Sequence, residues 1–260
     1  MKNEKKLSNQ KRSWALTVYI VLRLLVTGIM VIQFFNQNYT DVFLCLLTLI
    51  LFQIPTFIDR KFRIEFPDTL QIVVLLFIFS AEILGELKEF YLQYPIWDTL
   101  LHTTNGFLMT AIGFSFIDVF NRSEKISTKL TPISLTLIAF CFSMTIGVLW
   151  EFFEFAMDYF FKTDMQKDWI IHEITSVTFH PDGRNTPVTL PIESVVVNGE
   201  PWKGYLDIGL IDTMKDLIVN FIGAFVFCLF GFAYIKNREN SSFAKRFIPV
   251  VRSLKKKSQI

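Results

Sequence analysis

The sequence has few charged residues, few cysteines and no recognised metalloenzyme motif. Only 19% of its 260 residues are charged, whereas soluble domains of ordinary composition carry about 25%. The three cysteines (Cys45, Cys141 and Cys228) lie in apolar stretches and form no CxxC pair. Neither a disulfide framework nor a cysteine metal site is therefore expected. An HExxH sequence is also absent, so no recognised motif supports a metal assignment.

Apolar residues are abundant instead, and they occur in long blocks. The chain is 52% hydrophobic and contains 29 phenylalanines. A block of about 20 apolar residues spans the hydrocarbon of a bilayer as a helix, because every backbone group is then satisfied internally. Six blocks qualify, at residues 14–35, 40–57, 69–90, 97–120, 130–161 and 210–235. The predicted fold class is an all-α membrane protein, a six-transmembrane-helix bundle. Pro55 is expected to end or kink the second helix.

The distribution of lysine and arginine predicts the orientation of the helices. The N-terminus, the second and fourth connections and the tail hold 19 of these residues, and the other three connections hold 5. Cytoplasmic segments carry the excess of basic residues. A cytoplasmic basic N-terminus (1–13), a transmembrane domain (14–235) and a cytoplasmic basic tail (236–260) follow. The first block is read as an uncleaved anchor helix. The predicted location is the plasma membrane, multi-pass, with both termini cytoplasmic.

The basic ends of the chain and the longest connection have different predicted roles. Attraction to anionic lipids explains the basic segments beside a bilayer, and a nucleic-acid partner is not expected. The fifth connection, 162–208, lies outside the cell in this topology. Its segments 174–180 and 187–197 are rich in Thr, Val and Ile, and turn sequences lie at Asp182-Gly183 and Asn198-Gly199. These patterns predict a small β-rich extracytoplasmic loop.

Polar residues enter helices three to six at one membrane level. In each of these helices they recur three or four residues apart, which places them on one face. The four sets are Glu82, Glu86 and Glu89; Asp98, His102 and Asn105; Glu151, Glu154 and Asp158; and Asp212, Asp216 and Asn220. All belong to the outer half of the predicted helices. A shared polar cavity that opens outward explains this pattern, although Glu89, Asp98 and Asp158 also fit a position at the water boundary.

Carboxylates with one imidazole are suitable ligands for a divalent cation such as Zn²⁺, Mn²⁺ or Mg²⁺. The candidate metal ligands are His102, Glu151, Asp212 and Asp216, and the candidate catalytic bases are Glu82 and Glu154. Without a metal, the same carboxyls can relay protons. Arg23 and Lys215 are candidate counter-charges, and His172 and His180 are candidate additional ligands from the loop.

Other residues in the blocks fit packing better than chemistry. Small residues in helices four to six, including Gly106, Gly113, Gly147 and Gly223, predict close approach between helices. The phenylalanine-rich run at 152–161 is expected to face lipid.

Three segments resemble a known bacterial family. They are Trp97-Asp98-Thr99-Leu100-Leu101-His102, Gly147-Val148-Leu149-Trp150-Glu151-Phe152-Phe153-Glu154 and Asp212-Thr213-Met214-Lys215-Asp216-Leu217. As WDxxLH, GxxWExxE and DTxxDL, they resemble the YjdF-like family of uncharacterised polytopic membrane proteins, over roughly residues 68 to 236. The resemblance implies a bacterial plasma-membrane protein and marks these polar residues as a family signature. It supplies no activity.

Three functions are compatible with the pattern. The first is a metal-dependent hydrolase or transferase that acts on lipid-linked substrates at the outer leaflet. The second is an ion- or proton-coupled transporter, although the acidic residues stop in the outer half of the helices. The third is a noncatalytic membrane partner or sensor, whose polar cluster is structural.

Overall fold

Six helices of the computed structural model are long and apolar enough to cross a membrane, judged by length and composition. The structure describes residues 2–62, 64–122, 130–236, 246–248 and 250–251. Within these residues the six spans are Trp14–Phe35, Tyr39–Asp59, Asp68–Leu87, Trp97–Asp118, Pro132–Phe161 and Leu210–Lys236. The predicted fold class is confirmed. The basic residues Arg63, Lys125, Lys129 and Lys255 to Lys257 lie outside the described residues.

The chain divides into two compact units. The first comprises Met1–Gly147 and Val219–Ile260, and the second comprises Val148–Ile218. The first contains most of the membrane spans, and the second contains the long loop with the helical turns that enter and leave it.

The second span is interrupted where the sequence contains Pro55. Helix α1 (Lys2–Phe35) is followed by α2 (Tyr39–Leu51) and α3 (Ile54–Phe62). A turn at Phe52 and Gln53 separates the last two. Proline has no N–H and its ring clashes with the carbonyl four residues earlier. The helix therefore breaks just before Pro55 and restarts with proline in its first turn, where that residue is tolerated.

The third span changes its helical type. Helix α4 (Asp68–Phe79) passes into a π-helical segment (Ser80–Leu87), and a short helix α5 (Phe90–Gln93) follows. Glu89 lies between them with a left-handed backbone, φ 58°. The prediction of one α-helix from residue 69 to residue 90 is therefore wrong in its second half. The wider turn of the π-helix shifts every later side chain around the axis.

Three apolar clusters hold the first unit together. One packs α1, α2 and α4 around Val26, Cys45 and Phe52. A second joins Leu70 of α4 to Leu108 of helix α6 (Trp97–Arg122). The third lies where α6 meets the first part of α7 (Pro132–Phe161) and the later part of α8 (Leu210–Lys236).

Part of the predicted tail packs against the bundle. Strand β8 (Val250–Val251) pairs antiparallel with β1 (Ile64–Glu65) in the connection after α3. Ile248 is buried, and the ring of Phe247 lies edge-on to that of Phe107. The sequence 247–251 is apolar within an otherwise basic tail, and burial of Ile248 with partial burial of Phe247 fixes this segment.

The long loop of the second unit consists of three small hairpin-like pairs. Strands β2 (Ile170–Ile171) and β7 (Tyr205–Leu206) pair at its base. Strands β3 (Glu173–Ser176) and β4 (Val188–Pro191) form one hairpin, and β5 (Val195–Val197) and β6 (Glu200–Trp202) form another. Asn198 and Gly199 both have positive φ, as the tight turn of a two-residue hairpin requires. The predicted β-rich loop is confirmed.

Candidate functional site

In the first unit, the candidate histidine lies one turn into α6. His102 is buried, and its Nε2 lies 3.4 Å from Oδ1 of Asp98, four residues earlier on the same helix face. Asp98 is half-buried. A carboxylate beside one ring nitrogen orients the imidazole and leaves the other nitrogen for a metal or a proton.

The start of α6 is fixed by the irregularity in the third span. The indole Nε1 of Trp97 donates a hydrogen bond to the carbonyl oxygen of Ser80 (3.3 Å), the first residue of the π-helical segment. A π-helix changes which backbone carbonyls are satisfied along the helix. This contact therefore links the irregular backbone to the turn that carries His102.

The π-helical segment also changes the predicted polar stripe of the third span. Glu82 is half-buried, whereas Glu86 and Glu89 are exposed. Glu89 follows the end of the segment. The three glutamates therefore do not share one α-helical face, and that prediction is corrected. Of the three, Glu82 alone keeps a sheltered position.

Small residues bring α6, α7 and α8 together one turn beyond His102. A Cβ atom on Gly106 would clash with the backbone carbonyl of Asn220, and one on Gly147 would lie 2.7 Å from the Asn220 side-chain nitrogen. The hydroxyl of Ser143 donates to the carbonyl of Gly106 (2.8 Å). The predicted close helix approach is confirmed here.

Asn220 is completely buried at this crossing. Its Oδ1 accepts a hydrogen bond from Nδ2 of Asn105 (3.1 Å), and its Nδ2 lies 3.6 Å from the sulfur of Met144. Buried amides satisfied by their neighbours fix the register of packed helices. Asn105 and Asn220, which the sequence places in the polar stripes, therefore act in packing.

In the second unit, two glutamates of α7 are buried. Glu151 and Glu154 are 4% and 7% exposed, and a carboxylate oxygen of each lies within 4.8 Å of the other. The indole of Trp150 donates to Oε1 of Glu154 (2.7 Å). The surrounding Phe152, Phe153 and Phe155 are exposed, as expected for a face toward lipid. The helix thus shelters its acids on one face.

Three aspartates of the second unit hold the loop by its backbone. Asp158 accepts hydrogen bonds from the amides of Met165 (2.7 Å) and Gln166 (2.8 Å). Asp212 accepts one from the amide of Lys167 (2.9 Å). Carboxylate acceptors for backbone N–H groups form strong, charge-assisted hydrogen bonds. Asp158 therefore has a structural role, and Asp212 contributes one oxygen to the loop.

The third of these aspartates, Asp207, is not among the residues that the sequence singled out. It is buried and accepts from the amides of Trp169 and Ile211, both at 2.7 Å. Its position three residues before the start of α8 is the available sequence signal, because aspartate is favoured at helix N-termini. It fixes the start of the helix that carries Asp212 and Asp216, of which Asp216 is only 1% exposed.

The remaining candidate residues have other neighbours. Arg23 is exposed and donates to the hydroxyl of Tyr19 (2.8 Å). The ammonium of Lys215 lies 5.4 Å from the ring centre of Trp169. His172 is exposed, and Nδ1 of His180 accepts from the amide of Asp182 (3.1 Å). None of these contacts involves a candidate metal ligand.

Comparison with known proteins gives the family. A segment of 94 residues is 26% identical to an uncharacterized protein of Thermotoga maritima, and it covers 36% of this chain and 46% of that relative. The match thus spans about half of the relative's length. No solved structure matches the chain. The family model described as "Predicted membrane protein (DUF2238)" matches residues 18–237, all six spans except the first four residues of the first. With its buried acids and histidine placed on apolar helices, this chain belongs to that membrane protein family.

Proposed function

We propose that this protein is a membrane-embedded, metal-dependent hydrolase or transferase that acts on lipid-linked substrates at the outer leaflet. Burial of ionisable groups in the spans carries the proposal. Glu151 is 4% exposed, Asp216 is 1% exposed and His102 is 8% exposed. An ionised carboxylate within a bilayer costs about 2.5–3.5 kcal/mol on insertion scales. A divalent cation offsets that cost and the repulsion between acids.

The spacing along three helices supports this ligand set. Gly106, Ser143 and Asn220 mark the crossing of α6, α7 and α8. Further along α6, Phe114 lies against Gly231 of α8, so these two helices run parallel from the crossing, whereas Gly113 lies against Ala139, so α7 runs antiparallel to α6.

Each of the three helices carries an ionisable residue about one helical turn away from its crossing residue. His102 precedes Gly106 by four residues, Asp216 precedes Asn220 by four, and Glu151 follows Gly147 by four. Residues four apart share a helix face. The spacing in the sequence therefore supports a common membrane level for His102, Glu151 and Asp216.

The proposed roles follow from the chemistry of each group. His102, Glu151, Asp212 and Asp216 would hold the metal. A divalent cation held there would supply an activated water as the nucleophile. Glu154 or Glu82 would accept the proton of that water. Glu154 is the stronger candidate because Trp150 fixes its carboxylate.

The proposal includes an orientation and a location. The YjdF-like motifs and the basic-residue count favour a bacterial plasma membrane with cytoplasmic termini. The pairing of β1 with β8 supports this topology, because it brings the second connection and the tail to the same end of the first unit. Single-cysteine variants at positions 198 and 236 test it. Residue 198 should react with an impermeant thiol reagent in intact cells, and residue 236 only after lysis.

Elemental analysis of gently purified protein tests the metal. About one divalent ion per chain is expected in the wild type. The double variant Asp212→Ala with Asp216→Ala, and His102→Ala, should lose it. Glu193→Gln removes an exposed carboxylate of the loop and should retain the metal. Wild-type protein that is metal-free yet functional would refute the proposal.

A second measurement separates metal binding from catalysis. Glu154→Gln should keep the metal but lose hydrolysis of lipid-linked phosphate or ester substrates, assayed in mixed micelles. Trp150→Phe removes the indole donor and should lower the rate less. Full activity of Glu154→Gln would remove Glu154 from the mechanism.

One observation favours a noncatalytic membrane partner as the second candidate. Asp158, Asp207 and Asp212 all bind backbone amides of the loop, so part of the acidic set shapes an external surface. Under this alternative, metal would be absent, and substitution of Asp212 would alter loop order without loss of any catalytic rate.

A further inference from the structure

The break between α2 and α3 opens a groove in the first unit. Its volume is about 400 Å³, and it is lined by Gln53, Thr56, Phe57 and Lys61. Small-molecule sites in proteins commonly have volumes of about 300–1,000 Å³. Gln53 belongs to the turn between the helices, and the other three residues lie on α3. The groove therefore exists because Pro55 forces the second span to restart.

A chain of hydrogen bonds links this groove to an arginine on α1. Nη1 of Arg23 donates to the hydroxyl of Tyr19 (2.8 Å), and that hydroxyl donates to Oε1 of Gln53 (3.1 Å). The guanidinium carbon also lies 5.3 Å from the centre of the Tyr19 ring. Because Tyr19 lies one turn nearer the N-terminus, the arginine side chain is directed toward that end of the span.

The depth of Arg23 makes its environment unusual. It lies nine residues into the first span, which is about 13 Å at 1.5 Å per residue. It is exposed in the folded chain, and an exposed position at this depth faces lipid. Arginine at membrane depth reaches toward the interface and pairs with an anion or a polar group. The tyrosine hydroxyl accepts one of its five N–H donors.

A second cation, Lys61, lines the groove itself. Lys61 is exposed, two residues beyond the end of the second span, and its ammonium lies 5.3 Å from the centre of the Phe57 ring. The groove therefore combines the ammonium of Lys61, the hydroxyl of Thr56 and the ring of Phe57, and Arg23 is linked to it through Tyr19 and Gln53. This composition matches a phosphate group attached to apolar chains.

We propose that the groove binds the headgroup of an anionic phospholipid, with Lys61 and Arg23 directed at the phosphate. Arg23 reaches the site through its contact with Tyr19 and Gln53, and the acyl chains lie along the exposed apolar surface of α1 and α3. In the proposed orientation of the chain, this groove lies in the inner leaflet. Recognition of the headgroup does not depend on that orientation or on the proposed activity.

Native mass spectrometry of the full chain in detergent tests the site, with dioleoylphosphatidylglycerol as the probe and dioleoylphosphatidylcholine as the neutral comparison. The wild type should retain phosphatidylglycerol preferentially. Arg23→Gln and Lys61→Gln should each lower its apparent affinity about fivefold, the usual effect of one basic residue at a membrane surface. Lys236→Gln is the matched control, because it removes an exposed cation at the end of α8 and should change the affinity less than twofold.

Further variants and ligands distinguish a specific site from diffuse charge attraction and from misfolding. Arg23→Lys preserves the charge and should retain most of the binding, which shows that loss in Arg23→Gln does not come from misfolding. An equal loss in Lys236→Gln would show diffuse attraction and overturn the proposal. Equal retention of phosphatidylcholine, or displacement by an equal concentration of glycerol phosphate, would also overturn it. Because the assay uses detergent, a reversed membrane orientation leaves its result unchanged.

Discussion

Replacement of Asp207 by alanine should release the base of the long loop. Asp207 is 8% exposed, and its two oxygens accept from the amides of Trp169 and Ile211, both at 2.7 Å. Hydrogen bonds to a charged group contribute about 1.5–3 kcal/mol each. Water replaces part of that stabilisation because Trp169 is exposed. We therefore expect the loop base to lose about 2–4 kcal/mol against local opening.

Hydrogen exchange measured by mass spectrometry checks this magnitude. At 1.4 kcal/mol per factor of ten, the amides of 165–171 and 205–212 should exchange about 30 to 700 times faster in Asp207→Ala. The hairpin formed by β5 and β6 is an internal control, because its pairing does not involve Asp207. Its exchange should remain as in the wild type.

Asp182→Ala provides the matched control variant. Asp182 is exposed, and its nearest cation is Nε of Arg184 at 3.9 Å. Exposed pairs of this kind contribute about 0–1 kcal/mol, so exchange at the loop base should not change. If Asp207→Ala leaves the exchange of 165–171 unchanged, the carboxylate does not hold the loop, and the reasoning is refuted.

Three further predictions concern packing and pH. Gly106→Ala places a Cβ against a backbone carbonyl of α8 and should destabilise the bundle by about 1–3 kcal/mol in thermal unfolding. Gly28→Ala is the control and should leave the stability unchanged, because a Cβ there meets nothing within 4 Å. Equal destabilisation by the two variants would contradict the close helix crossing. Trp97→Phe removes the hydrogen-bond donor to the Ser80 carbonyl and should lower the free energy of unfolding by about 0.5–1.5 kcal/mol. An unchanged melting temperature would show that this hydrogen bond does not contribute to stability. Partial burial and the nearby carboxylates, Asp164 first, raise the pKa of Asp168 above its usual value; the unfolded chain therefore ionises first, and stability falls as pH rises through the folded pKa. Asp168→Asn should accordingly raise the melting temperature at pH 7, and the difference should vanish by about pH 3, well below the unfolded pKa, where both states are neutral.

The loop and the helix crossing differ in how far the sequence predicted them. Asn198-Gly199 between β-branched runs predicted a hairpin, because these two residues adopt the positive φ that a tight turn needs. Gly106 and Gly147 predicted close helices, because only small residues permit such an approach. The sequence did not predict that Asn220 would be the residue between them. Its place in a stripe of polar residues was equally compatible with a cavity.

The candidate acids show where prediction from residue spacing in the sequence succeeds and where it fails. The spacing of Glu151, Glu154 and Asp216 along their helices, and their depth in the membrane, indicated a position inside the protein, and all three residues are buried. The α-helical period failed at Glu86 and Glu89, because the backbone there becomes π-helical and then ends. Asp207 was missed, since one aspartate in a polar loop resembles any other until its amide partners are known.

The sequence by itself determined that this chain is an integral membrane protein with six spans and a β-rich insertion. Those features depend on the length and order of apolar residues, which are local properties of the chain. Tertiary structure decided which polar residues hold the loop, which fix the helix crossing and where Arg23 finds its partners. These outcomes depend on contacts between residues far apart in sequence, such as Arg23 with Tyr19 and then Gln53. No periodicity within a single helix encodes such a contact.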